Sequence, residues 1–446
     1  MFSKILIANR GEIAVRIIRA CREMGISTVA IYSEADKDAL HVSLADEAYC
    51  VGPAQVGDSY LNMLNILTIA VSSGAQAIHP GYGLLSENAK FVSLCEKCNI
   101  TFIGPSSQMI EDLGDKDKAR KTMQKAGVPV TPGTEVIEDE NEAKAAAGKI
   151  GYPILIKARS GGGGRGIRLV EKEEDFLNAF RSASSEAKSA FGDSGCYILK
   201  PVKHIEMQLL CDKHGNVLCL GERECSVQRK NQKLIEESPS PSITPEIRAK
   251  MMDAATKAAK AVNYNSVGTV EFLLDKDKNF YFMEMNTRLQ VEHGVTEMVT
   301  GLDLVQWQIR VAAGCRLDKT QDQIFFHGHA IECRINAENP DKDFRPSCGK
   351  ITKLHIPGGS FVRFDTAIYQ DYVIPPFYDS MVGKVIVQGR TRDLAIRKMK
   401  MALSELSISG IDHNRNLQIE ILSAKEFIDG SYTTDFIEEF EKRRKK

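Results

Sequence analysis

The amino-acid sequence predicts a mixed fold, α/β at its start and α+β beyond, divided among several domains. Three observations carry that expectation. Short apolar runs alternate with helical spacing through residues 1–114, a glycine run from Gly161 to Gly166 separates two strand-like segments, and the chain grows richer in strands towards its end. Its 446 residues are about three times the ~150 typical of one domain.

The run KILIAN (Lys4 to Asn9) reads as a strand, and Gly11 to Met24 sets Ile13, Ile17, Ile18 and Cys21 at helical spacing. STVAIY (Ser27 to Tyr32) is a second strand. AQAIHP and ITFIGP, each ending in proline, add two more around a helix from Asn88 to Glu96. Such alternation implies a parallel sheet with helices on both faces. Ligands then lie beyond the carboxyl ends of the strands, which places Asn9 to Glu12 and HPGYG (His79 to Gly83) at a binding edge. The first strand-to-helix turn holds one glycine, so a dinucleotide fingerprint is absent there.

A charged helix follows from Asp115, stopping at Gly127 before Pro129. Strands flank the glycine run, and further strands are expected around HIEMQLL (His204 to Leu210) and VLCLGERECSVQ (Val217 to Gln228). A helix spans roughly Pro245 to Val262, a hairpin runs from Val270 to Asn286, and another helix lies near Leu302 to Ala313. The last elements are a helix from Arg392 to Leu406 and a basic tail, EKRRKK, expected to be solvated.

Composition excludes several classes. Hydrophobic residues make up 43% and charged residues 26%, ordinary for a globular protein with a real core. With 58 basic against 59 acidic side chains, nothing draws the chain to nucleic acid. No run approaches the ~18 to 20 apolar residues of a membrane span, and MFSKILIANRGE is not a signal peptide. The eleven cysteines are scattered and odd in number, which suits free thiols in the cytoplasm. Cys95 and Cys98 form a CxxC without a second pair, so they read as packing residues rather than zinc ligands.

The motifs with chemical content come next. GGGGRG formally matches a dinucleotide loop, but IRLVE after it is a strand, so it reads as a flap whose amides close over phosphates, or as a merely mobile loop. Lys157 precedes it and would add a point charge. No GxxxxGK[ST] loop exists. If the hairpin turns at Asp277 and Lys278, Glu271 and Glu284 face each other, either as a solvated surface pair or with a divalent cation between them that removes the like-charge conflict. Asn286 shares a face with Glu284. Arg288, Gln290, Glu292 and His293 crowd together just after, suited to holding a small planar anion and moving its proton, or to a structural ion pair. Arg334, on the alternating segment HAIECRINAE, is a candidate for stabilising negative charge or an ordinary strand arginine. Lys398 to Met401 (KMKM) contains the local pattern of a biotin-attachment site. It falls in a helical stripe, which an attachment turn does not.

Taken together, ILIANRGEIAVRIIRA, HPGYGLLSEN, GPSS, GDK, GGGGRG, HIEMQ, ECSVQRKNQK, EMNTRLQVEH, AIECRINAE, PGGSFVRFD and YDSMVGK resemble the biotin carboxylase family, the ATP-grasp part of biotin-dependent carboxylases. The resemblance covers essentially the whole chain. It implies a Rossmann-like N-terminal domain over 1–114, an ATP-grasp domain over 115–330 with a glycine-rich lid at about 130–200, and a C-terminal biotin carboxylase domain over 331–446.

It further implies that Lys116 and Lys157 bind ATP phosphates beneath a lid including Gly161, Gly162, Gly163 and Gly164, with Lys200, His204, Gln228 and Asn231 towards the rest of the nucleotide. Glu271 and Glu284 would hold Mg²⁺, with Mn²⁺ as the alternative and Asn286 beside them. Lys233 would neutralise the transferred phosphoryl group. Arg288, Gln290 and the Val291 backbone would bind bicarbonate, Glu292 would be its base, and Arg334 would steady the biotin enolate. Arg19, Glu23 and Arg363 fall where the family makes its homodimer contact. The implied partners are a biotin carboxyl carrier protein, whose biotin is the substrate, and the carboxyltransferase subunits of acetyl-CoA carboxylase, leading to malonyl-CoA and fatty acid synthesis.

Four positions depart from the family pattern: Leu199 for a usual glutamate, Asn231 for histidine, Gly294 for proline and Ser360 for an aromatic residue. The rival readings are another ATP-grasp ligase, such as a carbamoyl-phosphate-synthetase-like half, and a nucleotide-binding subunit that does not turn over.

Overall fold

A computed structural model of the chain describes residues 1–130, 137–152, 154–158, 167–170, 172–191, 194–199, 202–230 and 232–444. Lys4–Ile7 is the central strand of a five-stranded parallel sheet, in spatial order Glu47–Gly52, Ser27–Ser33, Lys4–Ile7, Ala77–His79, Thr101–Phe102. Successive side chains of the central strand enter opposite layers. Ile5 and Ile7 pack with Ile13, Ile17 and Ile18 of helix Gly11–Glu23, whereas Leu6 packs with Ile78 and Phe91. Gly11 takes φ +65° at the first turn of that helix, a conformation that side chains resist, so the three residues Ala8 to Arg10 suffice to carry the strand into the helix.

The second sheet is antiparallel and has eight strands. Its order is Phe280–Asn286, Ser266–Leu274, Lys203–Cys211, Val217–Arg229, Gln232–Ser238, His329–Asn336, Met381–Gly389, Val362–Thr366. The sheet is continuous, so the boundary drawn in the sequence at residue 330 falls inside a strand, His329–Asn336. Helix Pro245–Ala261 packs its alanine-rich face on one half, and helix Arg392–Glu405 covers the other. Lys398 to Met401 therefore lie in a helix, which no biotin-attachment turn could share.

A smaller unit comprises the antiparallel strands Ile154–Ala158, Ile167–Val170 and Cys196–Leu199 with helices Glu140–Ile150 and Phe176–Phe191. Its separate core includes Phe176 stacked on Phe180, their ring centroids 5.8 Å apart. Gly161 to Gly166, Lys200 and Asn231 lie outside the described residues.

The described part of the tail is exposed at Lys442 and Arg443, as expected of a solvated end, and it closes the helix Phe436–Arg444, whose Arg444 pairs at the surface with Glu420 at 2.7 Å and Asp341 at 2.8 Å. Its apolar residues, Phe436 and Ile437, precede the basic cluster and dock it in the core. The helix expected near Leu302 to Ala313 is present as Leu304–Ala312. A further helix, His293–Thr300, precedes it unannounced, because it is buried along most of its length and lacks the polar stripe that announces an amphipathic helix. Among the described residues, no helix is long and apolar enough to cross a membrane.

Candidate active site

A cleft of about 1350 Å³ lies where the carboxyl edge of the parallel sheet meets the large antiparallel sheet. Asn9 to Ile13 and Tyr82 to Leu84 line it from the first domain, the edge the strand–helix alternation marks out. Opposite them the cleft collects Lys116, His204, Gln228, Lys233, Glu271, Glu284, Asn286, Arg288, Gln290, Val291, Glu292 and Arg334. Lys116 stands exposed at the first turn of helix Lys116–Lys125, which Asp115 caps by accepting N–H bonds from Asp117 and Lys118 at 3.0 Å. The backbone of Lys157 pairs with Ile167 and Tyr197 in the smaller unit.

The hairpin turns through Asp275 to Asn279, with Lys278 in the left-handed region at φ +66°. This register sets Glu271 directly opposite Glu284, with a bulge following Glu271. The Glu271 carboxylate is buried and held by a ring of donors. Asn286 Nδ2 donates to its Oε1 at 2.6 Å, Gln290 Nε2 to the same oxygen at 2.9 Å, and His204 Nε2 reaches Oε2 at 2.9 Å. Burial pushes its pKa up, but Lys233 and His204 outweigh burial and keep it ionised. His204 is shifted the other way: burial disfavours its charge, Glu271 favours it more, and its pKa rises.

Two carboxylates opposed in register, one held as an anion, form a hard-oxygen donor set that suits a small divalent cation shared with phosphate oxygens. Both polar ends of Asn286 are committed to protein partners, since its Oδ1 accepts from Arg288 at 3.2 Å.

Glu292 is the centre of charge. Lys233 Nζ donates to its Oε1 at 2.6 Å and Arg334 Nη2 to its Oε2 at 2.9 Å. Although burial opposes ionisation, Lys233, Arg334 and Arg223 together hold its pKa well below the usual carboxylate range. Lys233 also donates to Glu206, and Arg334 Nε to Glu236 at 2.6 Å. Glu206 is pushed up to about 7, chiefly by burial and then by Glu292 and Glu271, against the opposing pull of Lys233.

Several of these supports are invisible to sequence motifs. Arg223, fully buried, donates to Gln290 and Gln208, to Thr296 at 3.0 Å and to Glu206 at 3.1 Å, and so fixes the Gln290 side chain. Glu87, from the first domain, accepts from Arg288 Nε at 2.8 Å and from the Thr287 amide at 3.1 Å. Arg223 lies in the continuously buried middle of strand Val217–Arg229, which marks it only as an inward residue, and Glu87 falls inside HPGYGLLSEN, which does not say what its carboxylate meets.

The three residues anticipated at a dimer contact lie on neighbouring elements. Arg19 and Glu23 are exposed on helix Gly11–Glu23, where Glu23 accepts from Gln306 at 2.8 Å. Arg363, on the adjoining strand Val362–Thr366, spends its guanidinium within the chain, on Glu297 at 2.7 Å and Asp365 at 2.6 Å.

Comparison with known proteins agrees with this geometry. Residues 1–110 match the biotin carboxylase N-terminal domain, residues 115–320 the ATP-binding domain of the carbamoyl-phosphate synthase L chain, and residues 332–439 the biotin carboxylase C-terminal domain. Biotin carboxylase 1 of Bacillus subtilis (strain 168) is 56% identical over 446 residues, covering 99% of each chain. A crystal structure of the biotin carboxylase component of pyruvate carboxylase superposes with a TM-score of 0.86 at 51% identity over 99% of each chain. A crystal structure of the biotin carboxylase domain dimer of Hydrogenobacter thermophilus 2-oxoglutarate carboxylase, in complex with MgADP, ADP and bicarbonate, superposes with a TM-score of 0.90 at 50% identity over 98% of each chain. A cleft that gathers paired carboxylates and a doubly braced glutamate, together with full-length relatives of this likeness, establishes that the chain belongs to the biotin carboxylase family of ATP-grasp ligases, enzymes that carboxylate biotin using ATP and bicarbonate.

Proposed function

We propose that this chain catalyses the first half-reaction of acetyl-CoA carboxylase, carboxylating biotin on a separate biotin carboxyl carrier protein. The observation that carries the residue roles is the Glu292 carboxylate suspended between Lys233 and Arg334 beside the Glu271–Glu284 pair. Arg288, Gln290 and the Val291 amide bind bicarbonate. When Lys233 and Arg334 turn to incoming anions, Glu292 loses the charges that hold it down, and its basicity rises towards that of a general base.

Glu292 then takes the bicarbonate proton, and the freed oxygen attacks the γ-phosphorus of ATP, giving carboxyphosphate and ADP. Lys116, Lys157, Lys233 and the lid amides of Gly161 to Gly164 stabilise the phosphoryl charge, while Lys200, His204, Gln228 and Asn231 hold the rest of the nucleotide. A magnesium ion held by Glu271 and Glu284, with Asn286 beside them, would neutralise phosphate oxygens and orient them. Carboxyphosphate yields CO₂ and phosphate, the phosphate takes the ureido proton of biotin, and N1 captures CO₂. Arg334 holds the enolate oxygen through that step.

The decisive measurement is ADP release. It should require bicarbonate and rise on adding free biotin, whereas release that ignores both, or that follows another acceptor, overturns the reading. Capture of the biotinylated partner and its carboxyltransferase tests the acetyl-CoA assignment. A carboxyltransferase acting on pyruvate or 2-oxoglutarate would replace it. We further propose a cytoplasmic homodimer joined through Arg19, Glu23 and Arg363, checked by sedimentation of the wild type against Arg19→Glu.

A further inference from the structure

Lys384 is a fully buried lysine whose ammonium donates to the backbone carbonyl of Val291. It stands opposite Arg334 in the pairing of strands His329–Asn336 and Met381–Gly389, so the two side chains occupy one face of the sheet. They grip the same dipeptide from that face. Lys384 holds the Val291 carbonyl, while Arg334 holds the Glu292 carboxylate at 2.9 Å.

The charge of Lys384 is secured from both sides. Glu12, from the first domain, lies 3.4 Å away, and Asp365 is its register partner on strand Val362–Thr366. Burial would favour loss of the proton, but Glu12, Glu332 and Asp365 outweigh it and keep the ammonium charged. The next turn of chain is seated on the same strand. A Cβ at Gly294 would collide with Ile386 Cδ1 and come within 3.0 Å of Glu332 Oε2, so the first turn of helix His293–Thr300 packs directly against these strands.

We infer that Lys384 is a positioning residue for bicarbonate: by fixing the Val291–Glu292 peptide plane it restricts the residues on either side, the Val291 amide one Cα before that plane and the Glu292 carboxylate just after it, which face the anion. This rests on the functional reading above. A peptide held by a charged donor in a dry site cannot rotate without leaving that charge unpaired, which makes the arrangement stiff.

The test compares Lys384→Met, similar in length and apolar, with Lys384→Arg, which keeps a charge among the buried acids but cannot place a single N–H at the same point. In Lys384→Met the bicarbonate KM should rise about tenfold or more while MgADP affinity stays within about twofold. In Lys384→Arg the bicarbonate KM should rise about fivefold with the same unchanged MgADP affinity, and this variant decides the matter if the methionine variant does not fold. Unchanged bicarbonate KM in the folded variants overturns the role. A parallel rise in both constants also overturns it, since general distortion would then be the cause. If the wild type itself shows no bicarbonate-dependent ADP release, the functional reading falls instead.

Discussion

Lys233 and Glu292 meet at 2.6 Å although 59 positions separate them in the chain, one on strand Gln232–Ser238 and the other at the start of helix His293–Thr300. The contact joins the cation expected beside the phosphoryl group to the carboxylate expected to activate bicarbonate. Replacing Glu292 by glutamine preserves shape and removes the base. Bicarbonate-dependent ATP cleavage should fall by about 10²-fold or more, while MgADP still binds, in steady-state kinetics paired with calorimetry. Wild-type turnover in this variant would exclude Glu292 as the base.

Arg334 reaches the same carboxylate from the other side, and its Nε is braced by Glu236. Arg334→Ala should reduce carboxylation of free biotin by about 10²-fold. Nucleotide affinity should change little, because the guanidinium has no part in the Glu271–Glu284 hairpin. A variant that loses nucleotide binding in step with carboxylation would place Arg334 elsewhere in the scheme.

The hairpin makes its own prediction. Glu284→Gln removes one of the two opposed carboxylates without enlarging the side chain. The magnesium concentration for half-maximal activity should rise about tenfold, and an excess of chelator should abolish activity in the wild type. Titration of activity against free Mg²⁺ reads both. An unaltered Mg²⁺ requirement would remove Glu284 from the metal site.

Stability has a separate pH signature at Glu237. This buried carboxylate accepts from His329 at 2.5 Å and Arg392 at 2.7 Å, and also from Tyr432. Burial raises its pKa, yet His329 and then Arg392 prevail, lowering it from 4.5 to about 2. The folded value is depressed, so the stabilisation is present above pH ~4.5 and is lost as pH falls towards ~2, about 3 kcal/mol in all. Urea midpoints should show Glu237→Gln less stable than the wild type at neutral pH, with the gap closing in acid. A gap constant with pH would mean that the carboxylate charge contributes nothing.

How far the sequence led depends on distance along the chain. The opposition of Glu271 and Glu284 is legible by counting from a turn at Asp277 and Lys278, but the structure reaches it by another route: Leu274 pairs with Phe280 at the turn, and the bulge after Glu271 shifts the register by one to bring Glu284 opposite. The binding edge after the first strand is legible from alternation alone. Arg223, Glu206, Glu236 and Lys384 are not, because each acts through a partner on another strand or loop, and strand patterning says only which residues point inward. The Glu87–Arg288 contact, between residues 201 apart, exists only once two domains have docked. At the tail the exposure of Lys442 and Arg443 is legible from composition, whereas the surface pairing of Arg444 with Glu420 and Asp341 is not.

Strand His329–Asn336 is hydrogen-bonded on one side to Gln232–Ser238 and on the other to Met381–Gly389. Severing the chain ahead of it would not free an autonomous nucleotide module, because Gln232–Ser238 would be left with a raw, aggregation-prone border. Two fragments supplied together could regain turnover only by knitting that seam, so complementation between halves would report on sheet repair rather than on loose docking.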